Sequence, residues 1–244
     1  MLLSAKESRS ITISSLGDSA ITVRFGEEIN QKVHEMVQTA ARYFEDHPFK
    51  GFIECVASFT SVTLFYDPWV VYKDSKQAPF EWVKSNIEES LDKMPGSLES
   101  TARTIRIPVC YGGRFGPDLQ EVAASNGLTD DEVIDIHTNG EYTVYMIGFA
   151  PGFPFLGGLD EKIAAPRRSS PRTSIPKGSV GIAGKQTGVY PISTPGGWQL
   201  IGQTPLALFR PLSEPPSLLQ AGDIVKFHPI SEEEFLAYEE EEDA

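Results

Sequence analysis

From Ser10 to Tyr111 the spacing of apolar residues switches repeatedly between two and 3.6, the signature of strands alternating with helices. Ile11 and Ile13, then Ile21, Val23 and Phe25, predict short strands broken at the turn-prone pair Gly17-Asp18. Val33, Met36, Val37, Ala40, Ala41 and Phe44 recur at helical spacing, with Asn30 placed to cap the first turn and His47-Pro48 to end the last. The stretch Phe52 to Tyr66 is rich in Val, Ile, Phe and Thr, and its polar break at Ser58 to Ser61 predicts two paired strands. A second amphipathic stripe, Phe80, Val83, Ile87, Leu91 and Met94, precedes a closing strand at Ile105, Ile107 and Val109. The order β-α-β-β-α-β is the split, ferredoxin-like arrangement of two helices on one sheet face.

The composition breaks between Met94 and Thr101, which places a linker there and a boundary near residue 100. Beyond it, Leu119, Val122 and Ala123 predict a short helix closed by Asn126-Gly127, and Thr129 to Glu132 forms a capping box opening another that ends before Gly140. Residues 148 to 202 then hold eleven glycines, and eleven of the eighteen prolines lie between 151 and 216. They are interleaved with β-rich pieces at Tyr142 to Phe149, Gly188 to Ser193 and Ile224 to Phe227, so many short strands meet at sharp, stiff turns. That pattern predicts a small closed barrel. The fold class is therefore α+β, with a ferredoxin-like domain over 1–100 and a β-barrel domain over 101–244. The acidic runs Glu232 to Glu234 and Glu239 to Asp243 read as a solvated tail.

Thirty-four acids against twenty-one bases give a net charge of −13, which repels phosphate backbones and anionic lipid surfaces. Nucleic acid and membrane are thereby set aside as partners. The first residues, Met1 to Glu7, lack the apolar core of a signal peptide, and no long apolar run follows, so the expected location is cytoplasmic. Cys55 and Cys110 have no metal-binding spacing and read as buried, reduced thiols.

No nucleophile elbow, zinc-protease motif or dinucleotide fingerprint is present. The run Lys177 to Gln186 resembles a phosphate loop, but Gly178 lies one residue too far from Gly184-Lys185, and Gln186 stands where a magnesium-binding hydroxyl is needed. Arg167 and Arg172 sit on a proline-stiffened loop in an acidic chain, and their planar forks suit a carboxylate or phosphate; a surface ion pair with local acids is the competing reading. Gln186, Thr187, Tyr190 and Gln203 supply neutral donors and acceptors, and Trp198 either walls a pocket or packs in the barrel. His137 is the histidine next to this region, suited to moving a proton near neutral pH or to a structural place in the core.

Tyr142 to Leu159, Pro166-Arg167, Pro171-Arg172, Ala183 to Pro191 and Thr194 to Trp198, together with Tyr111 to Asp118 and the Gly127-Leu-Thr stretch, closely resemble the KipI/PxpB family, also described as allophanate hydrolase subunit 1-like. The resemblance implies a ferredoxin-like N-terminal domain and makes the barrel cyclophilin-like. It also implies the B-subunit of an ATP-dependent 5-oxoprolinase, working with PxpC-like and PxpA-like subunits to open 5-oxo-L-proline to L-glutamate. The alternative it carries is a KipI-type inhibitor of a sporulation sensor histidine kinase, for which Phe149, Phe153, Phe155 and Trp198 would be docking anchors.

A lactam is a poor electrophile, so coupling to ATP by phosphorylation of the amide oxygen would let water attack its carbonyl. On that reading His137 and Arg172 are the catalytic candidates, and Arg167, Gln186, Thr187, Tyr190, Gln203 and Trp198 the substrate-binding ones. No metal ligand is expected, and ATP is expected to be bound by the complex rather than by this chain alone. In relatives an arginine is expected in the Gly202-Gln203-Thr204 segment, so Gln203 weakens anion binding there.

Overall fold

The computed structural model describes residues 11–94 and 102–243, the side chains of 239–243 excepted. The expected linker after Met94, the Met1 to Glu7 segment and the charges of Glu239 to Asp243 lie outside the described residues. Contacts divide the chain into two units, Met1–Ser100 and Thr101–Ala244.

The first unit runs β1 (Thr12–Ser15), β2 (Ala20–Arg24), α1 (Gln31–Asp46), β3 (Phe52–Ala57), β4 (Ser61–Tyr66), α2 (Pro68–Ser75) and α3 (Pro79–Lys93). Its strands form one antiparallel sheet in the order β1-β2-β4-β3. Asn30 caps α1 by accepting from the Val33 backbone N–H at 3.0 Å. The helix lays Val37, Ala40, Ala41 and Phe44 in the same core as Val62, Leu64 and Tyr66, the alternate residues of β4. Val83, Ile87 and Leu91 of α3 complete that core. Helix α2 has no counterpart in the periodicity, because it buries only Val71; it forms because Asp67 accepts from the backbone N–H groups of Trp69 and Val70 and Pro68 fills its first turn.

The second unit runs β5 (Thr104–Tyr111), α4 (Leu119–Asn126), α5 (Asp130–Asn139), β6 (Tyr142–Ile147), β7 (Pro154–Gly157), β8 (Arg172–Ile175), β9 (Ser179–Ala183), β10 (Gln186–Val189), β11 (Thr194–Gly196), β12 (Gln199–Gln203), β13 (Ile224–Pro229) and α6 (Glu232–Asp243). Seven strands close a barrel in the order β10-β7-β6-β13-β5-β12-β9, while β8 and β11 pair beside it. This is consistent with the cyclophilin-like barrel expected from the sequence. The predicted closing strand of the first domain is β5, and it belongs to the barrel. It pairs parallel with β13 from Ile224↔Thr104 to Pro229↔Val109. Alternation identifies a strand but not its partner, and the edge place beside β2 is taken by β1.

The predicted capping box forms at Thr129 and Glu132, and α5 turns Val133 and His137 inward. The acidic C-terminal stretch is not simply a tail. It begins as α6, whose Phe235 is buried with its ring 4.6 Å from that of Phe115, while Glu232 to Glu234 face solvent. Both cysteines are free thiols; Cys110 is buried, but Cys55 is only half-buried, its thiol pushed up to about 12 by burial and by Glu45. Among the described residues no helix is long and apolar enough to cross a membrane.

Candidate functional site

The loop after β5 is drawn tightly across β12. A Cβ on Gly116 would lie 2.0 Å from the Ile201 carbonyl oxygen, so only glycine fits this crossing. The crossing brings Asp118 against β12, where its N–H donates to Leu200 O at 2.9 Å and its Oδ2 accepts from Leu200 N at 2.7 Å. Asp118 is 4% exposed and receives two arginines. Arg172 donates through Nη1 and Nη2 at 2.8 and 2.7 Å, and Arg168 through Nη1 at 2.8 Å. Two guanidiniums on one buried carboxylate leave a net positive charge, which the exposed Glu121, 3.9 Å from Arg168, meets only in part. The hydrogen bonds from Arg172 to Asp118 raise the Arg172 pKa further.

The arginine loop is held in place by its backbone. Arg168 N–H donates to Gly197 O at 2.8 Å, Gln199 Nε2 donates to Pro166 O at 3.2 Å, and Arg172 pairs with Gly196 across β8 and β11. Arg167, in the middle of this pinned loop, is exposed and makes no hydrogen bond or ion pair among the described residues. Its guanidinium is the one that stays open to an anion on this face.

Beneath the loop lies an aromatic cluster. Phe153 meets Tyr190 and Trp198 edge-on at 5.5 and 5.8 Å, and all three are buried. Burial pushes the Tyr190 phenol up, opposed by a hydrogen bond with the Trp198 backbone and by the charges of Arg167 and Arg172. Tyr190 and Trp198 therefore support the arginine face from below rather than presenting their polar atoms to solvent. The same burial removes Phe153 and Trp198 as docking anchors for a kinase. Phe149 alone of the four aromatics is well exposed, at 70%, with its ring edge 5.4 Å from Phe153. It sits at φ 69, and the Ala150 N–H donates to Gly148 O at 2.8 Å across it, a tight and strained γ-turn for so large a residue.

His137 and Thr187 lie elsewhere, in the barrel core, and both are 0% exposed. Thr187 Oγ1 donates to Gly181 O at 3.1 Å, so it accepts from His137 Nε2 at 3.0 Å, and Nδ1 accepts from the Tyr111 hydroxyl at 2.7 Å. The imidazole stacks on Phe227 at 4.6 Å, and burial lowers its pKa to about 3. This is a saturated, neutral network, so a proton-transfer role for His137 gives way to a structural one. Its i, i+4 spacing from Val133 on the inward face of α5 is the signal that marks it as core.

The two remaining candidates stand apart as well. Gln203 Nε2 donates to Lys177 O at 2.8 Å and fastens the turn before β9. Gln186 opens β10 opposite Ala183, half-buried. The glycine-rich run is thus a hairpin, with β9 and β10 joined at Gly184 and the Lys185 ammonium taken by Glu161 at 2.5 Å. Among the described residues no group of three or more His, Cys, Asp or Glu side chains could hold a metal. Sequence reasoning missed Asp118, Arg168 and Tyr111, each of which acts through a partner distant in sequence.

These features define a protein with an α/β unit and a β-barrel unit, the barrel carrying a face rimmed by Arg167, Arg168 and Arg172. The chain belongs to the family described as carboxyltransferase domain, subdomain C and D, which matches residues 11–219. It is 65% identical over 232 residues to the 5-oxoprolinase B-subunit of Bacillus subtilis, covering 94% of this chain and 97% of that one. It is 40% identical over 218 residues to the 5-oxoprolinase B-subunit of Escherichia coli O157:H7, covering 89% and 95%. The crystal structure of TTHA0988 superposes with a TM-score of 0.75 at 32% identity; 87% of this chain matches 40% of that longer one.

Proposed function

We infer that this chain is the B-subunit of a 5-oxoprolinase. The observation that carries the reading is the 65% identity to a relative of that name, over nearly the whole of both chains. Its activity is ATP-dependent and belongs to the complex: PxpC-like and PxpA-like subunits complete the reaction that opens 5-oxo-L-proline to L-glutamate, in the cytoplasm. The first unit acts as a ferredoxin-like domain and the second as a cyclophilin-like one.

ATP would supply the drive by phosphorylating the amide oxygen, so that water adds to the activated carbon and the ring C–N bond breaks with the nitrogen taking a proton; a second water then releases the phosphate, leaving glutamate, ADP and phosphate. The glycine-rich hairpin does not fit the phosphates of ATP, because it spends its backbone groups on β9–β10 pairing and its lysine on Glu161. ATP is on this reading bound by the assembled complex rather than by this hairpin. The contribution of this chain is the arginine face, where Arg167 receives the carboxylate of the substrate and the Asp118 clamp holds Arg172 and Arg168 in register beside it. Tyr190 and Trp198 stiffen that face from beneath.

The test is release of ADP and glutamate in the presence of 5-oxoproline, by this purified chain alone and after co-purification with the two partner subunits. Turnover only in the assembled mixture is the expected result. A mixture shown to assemble and yet unable to turn over 5-oxoproline overturns the reading.

A further inference from the structure

The hairpin from β6 to β7 turns through Gly148 to Phe153, and its backbone is closed on itself. The Gly148 N–H donates to Phe153 O at 3.0 Å, the Phe153 N–H to Ala150 O at 3.0 Å, and the Ala150 N–H to Gly148 O at 2.8 Å. Pro151 stiffens the turn further, and Gly152, at φ 79, is wedged so closely that a Cβ there would lie 2.8 Å from that of Phe209. Inside this frame Phe149 is held at φ 69, where glycine sits without strain and a bulky side chain does not. Glycine stands on either side, as Gly148 and Gly152, but not at this position.

The fold gains little from the ring that it strains to hold. Phe149 is 70% exposed and reaches the interior edge-on at Phe153. A strained residue that its surroundings fix, and whose side chain points outward, marks a contact with something beyond the chain. Its position says which. Phe153 meets Tyr190 and Trp198 edge-on, and the charges of Arg167 and Arg172 act on the Tyr190 phenol. The aromatic floor of the arginine face therefore comes to the surface at Phe149. Phe153 and Trp198 are buried, so what this floor exposes is a single ring, too little apolar area for a stable protein interface but enough to cover one face of a five-membered ring.

We propose that Phe149 is a substrate-contacting residue, the wall on which the lactam ring of 5-oxoproline lies with its carboxylate turned toward Arg167. The inference rests on the 5-oxoprolinase reading and adds a source of specificity to it. Arg167 can take any carboxylate, whereas Phe149 favours a closed ring with apolar methylenes over the open, charged chain of the glutamate product. Fixing the ring in advance removes the cost of ordering it when substrate arrives.

The experiment is steady-state kinetics of the assembled enzyme carrying wild-type, Phe149→Gly or Phe149→Tyr chains, with the melting temperature of each chain and its co-purification with the partner subunits. Glycine suits the backbone at this position, so Phe149→Gly is expected to melt no lower than wild type. It is expected to raise KM for 5-oxoproline about tenfold with kcat unchanged, as for an apolar contact made equally in the ground and transition states. Phe149→Tyr keeps the ring and is expected to keep the KM. An unchanged KM in Phe149→Gly overturns the proposal and leaves the 5-oxoprolinase reading standing, whereas a wild-type mixture that assembles without turning over 5-oxoproline overturns both. A Phe149→Gly chain that melts lower makes the ring a structural strut, and one that no longer co-purifies makes it a partner contact; either result overturns the proposal.

Discussion

Acidification is expected to destabilise the barrel through His137. The imidazole has no exposure, accepts from Tyr111 on one nitrogen and donates to Thr187 on the other, so a second ring proton has neither an acceptor nor water to receive it. Its folded pKa of about 3 lies below the ordinary 6.5, so over that interval the unfolded chain binds a proton that the native barrel refuses. The stability this contributes is fully present above pH 6.5 and is lost as pH falls toward 3. At about 1.4 kcal/mol per pH unit, some two units of acidification remove roughly 2.7 kcal/mol by pH 4.5, a large share of a domain's margin. The assay is urea denaturation from pH 7.5 to 4.5, followed by the buried Trp198 in a background with Trp69 and Trp82 replaced by Phe. Carboxylates also titrate in this range, so the quantity to plot is the stability difference between wild type and His137→Gln, whose side chain keeps a donor and an acceptor but does not titrate. That difference should shrink steadily as pH falls below 6.5. A difference that stays constant across the range would refute the reasoning.

Asp118→Asn leaves Arg168 and Arg172 without the charge that holds them and should cost the barrel about 3–5 kcal/mol in urea denaturation; a loss below about 1 kcal/mol would show that the clamp is solvated. Arg172→Ala should destabilise for the same reason, so Arg167→Ala is the cleaner functional probe: it should raise KM for 5-oxoproline in the assembled enzyme while leaving the melting temperature of this chain unchanged, and a normal KM removes Arg167 from the site. Thr187→Val, which strands the His137 Nε2–H and frees the Gly181 carbonyl, should cost about 1–3 kcal/mol by the same denaturation assay. Gly116→Ala drives a methyl group into the Ile201 carbonyl and should disrupt Asp118 along with it, seen as loss of the Asp118–Leu200 amide protection in hydrogen exchange.

Much of the architecture is legible in the sequence where the physics is local. The Asn30 cap and the Thr129/Glu132 capping box act over three residues and can be read directly, and the density of glycine and proline after Gly140 announces a barrel of short strands. What is not legible is long-range pairing. Ile105, Ile107 and Val109 read as a strand, but its ladder partner in β13 lies far along the chain, and nothing nearby says which sheet it joins. The candidate site divides in the same way. Arg167 and Arg172 stand out by residue type, whereas Asp118, in a Gly-Pro-Asp turn, looks like ordinary loop chemistry until the fold sets two guanidiniums upon it. His137 drew a catalytic reading because residue type says nothing about solvent, and only the inward face of α5 decides that.

The parallel junction of β5 and β13 also bears on biosynthesis. A ribosome delivers β5 before any other strand of the barrel, but the strand that seals the cylinder beside it arrives only after all the rest. The sheet of the first unit pairs only strands that lie within its own residues and can settle as it emerges, whereas the nascent barrel must wait with both seam edges uncovered until Pro229 has left the exit tunnel. A chain stopped short of Ile224 would therefore be born with an open seam, and the quality of the product should depend on how fast translation runs through the stretch that leads to Pro229.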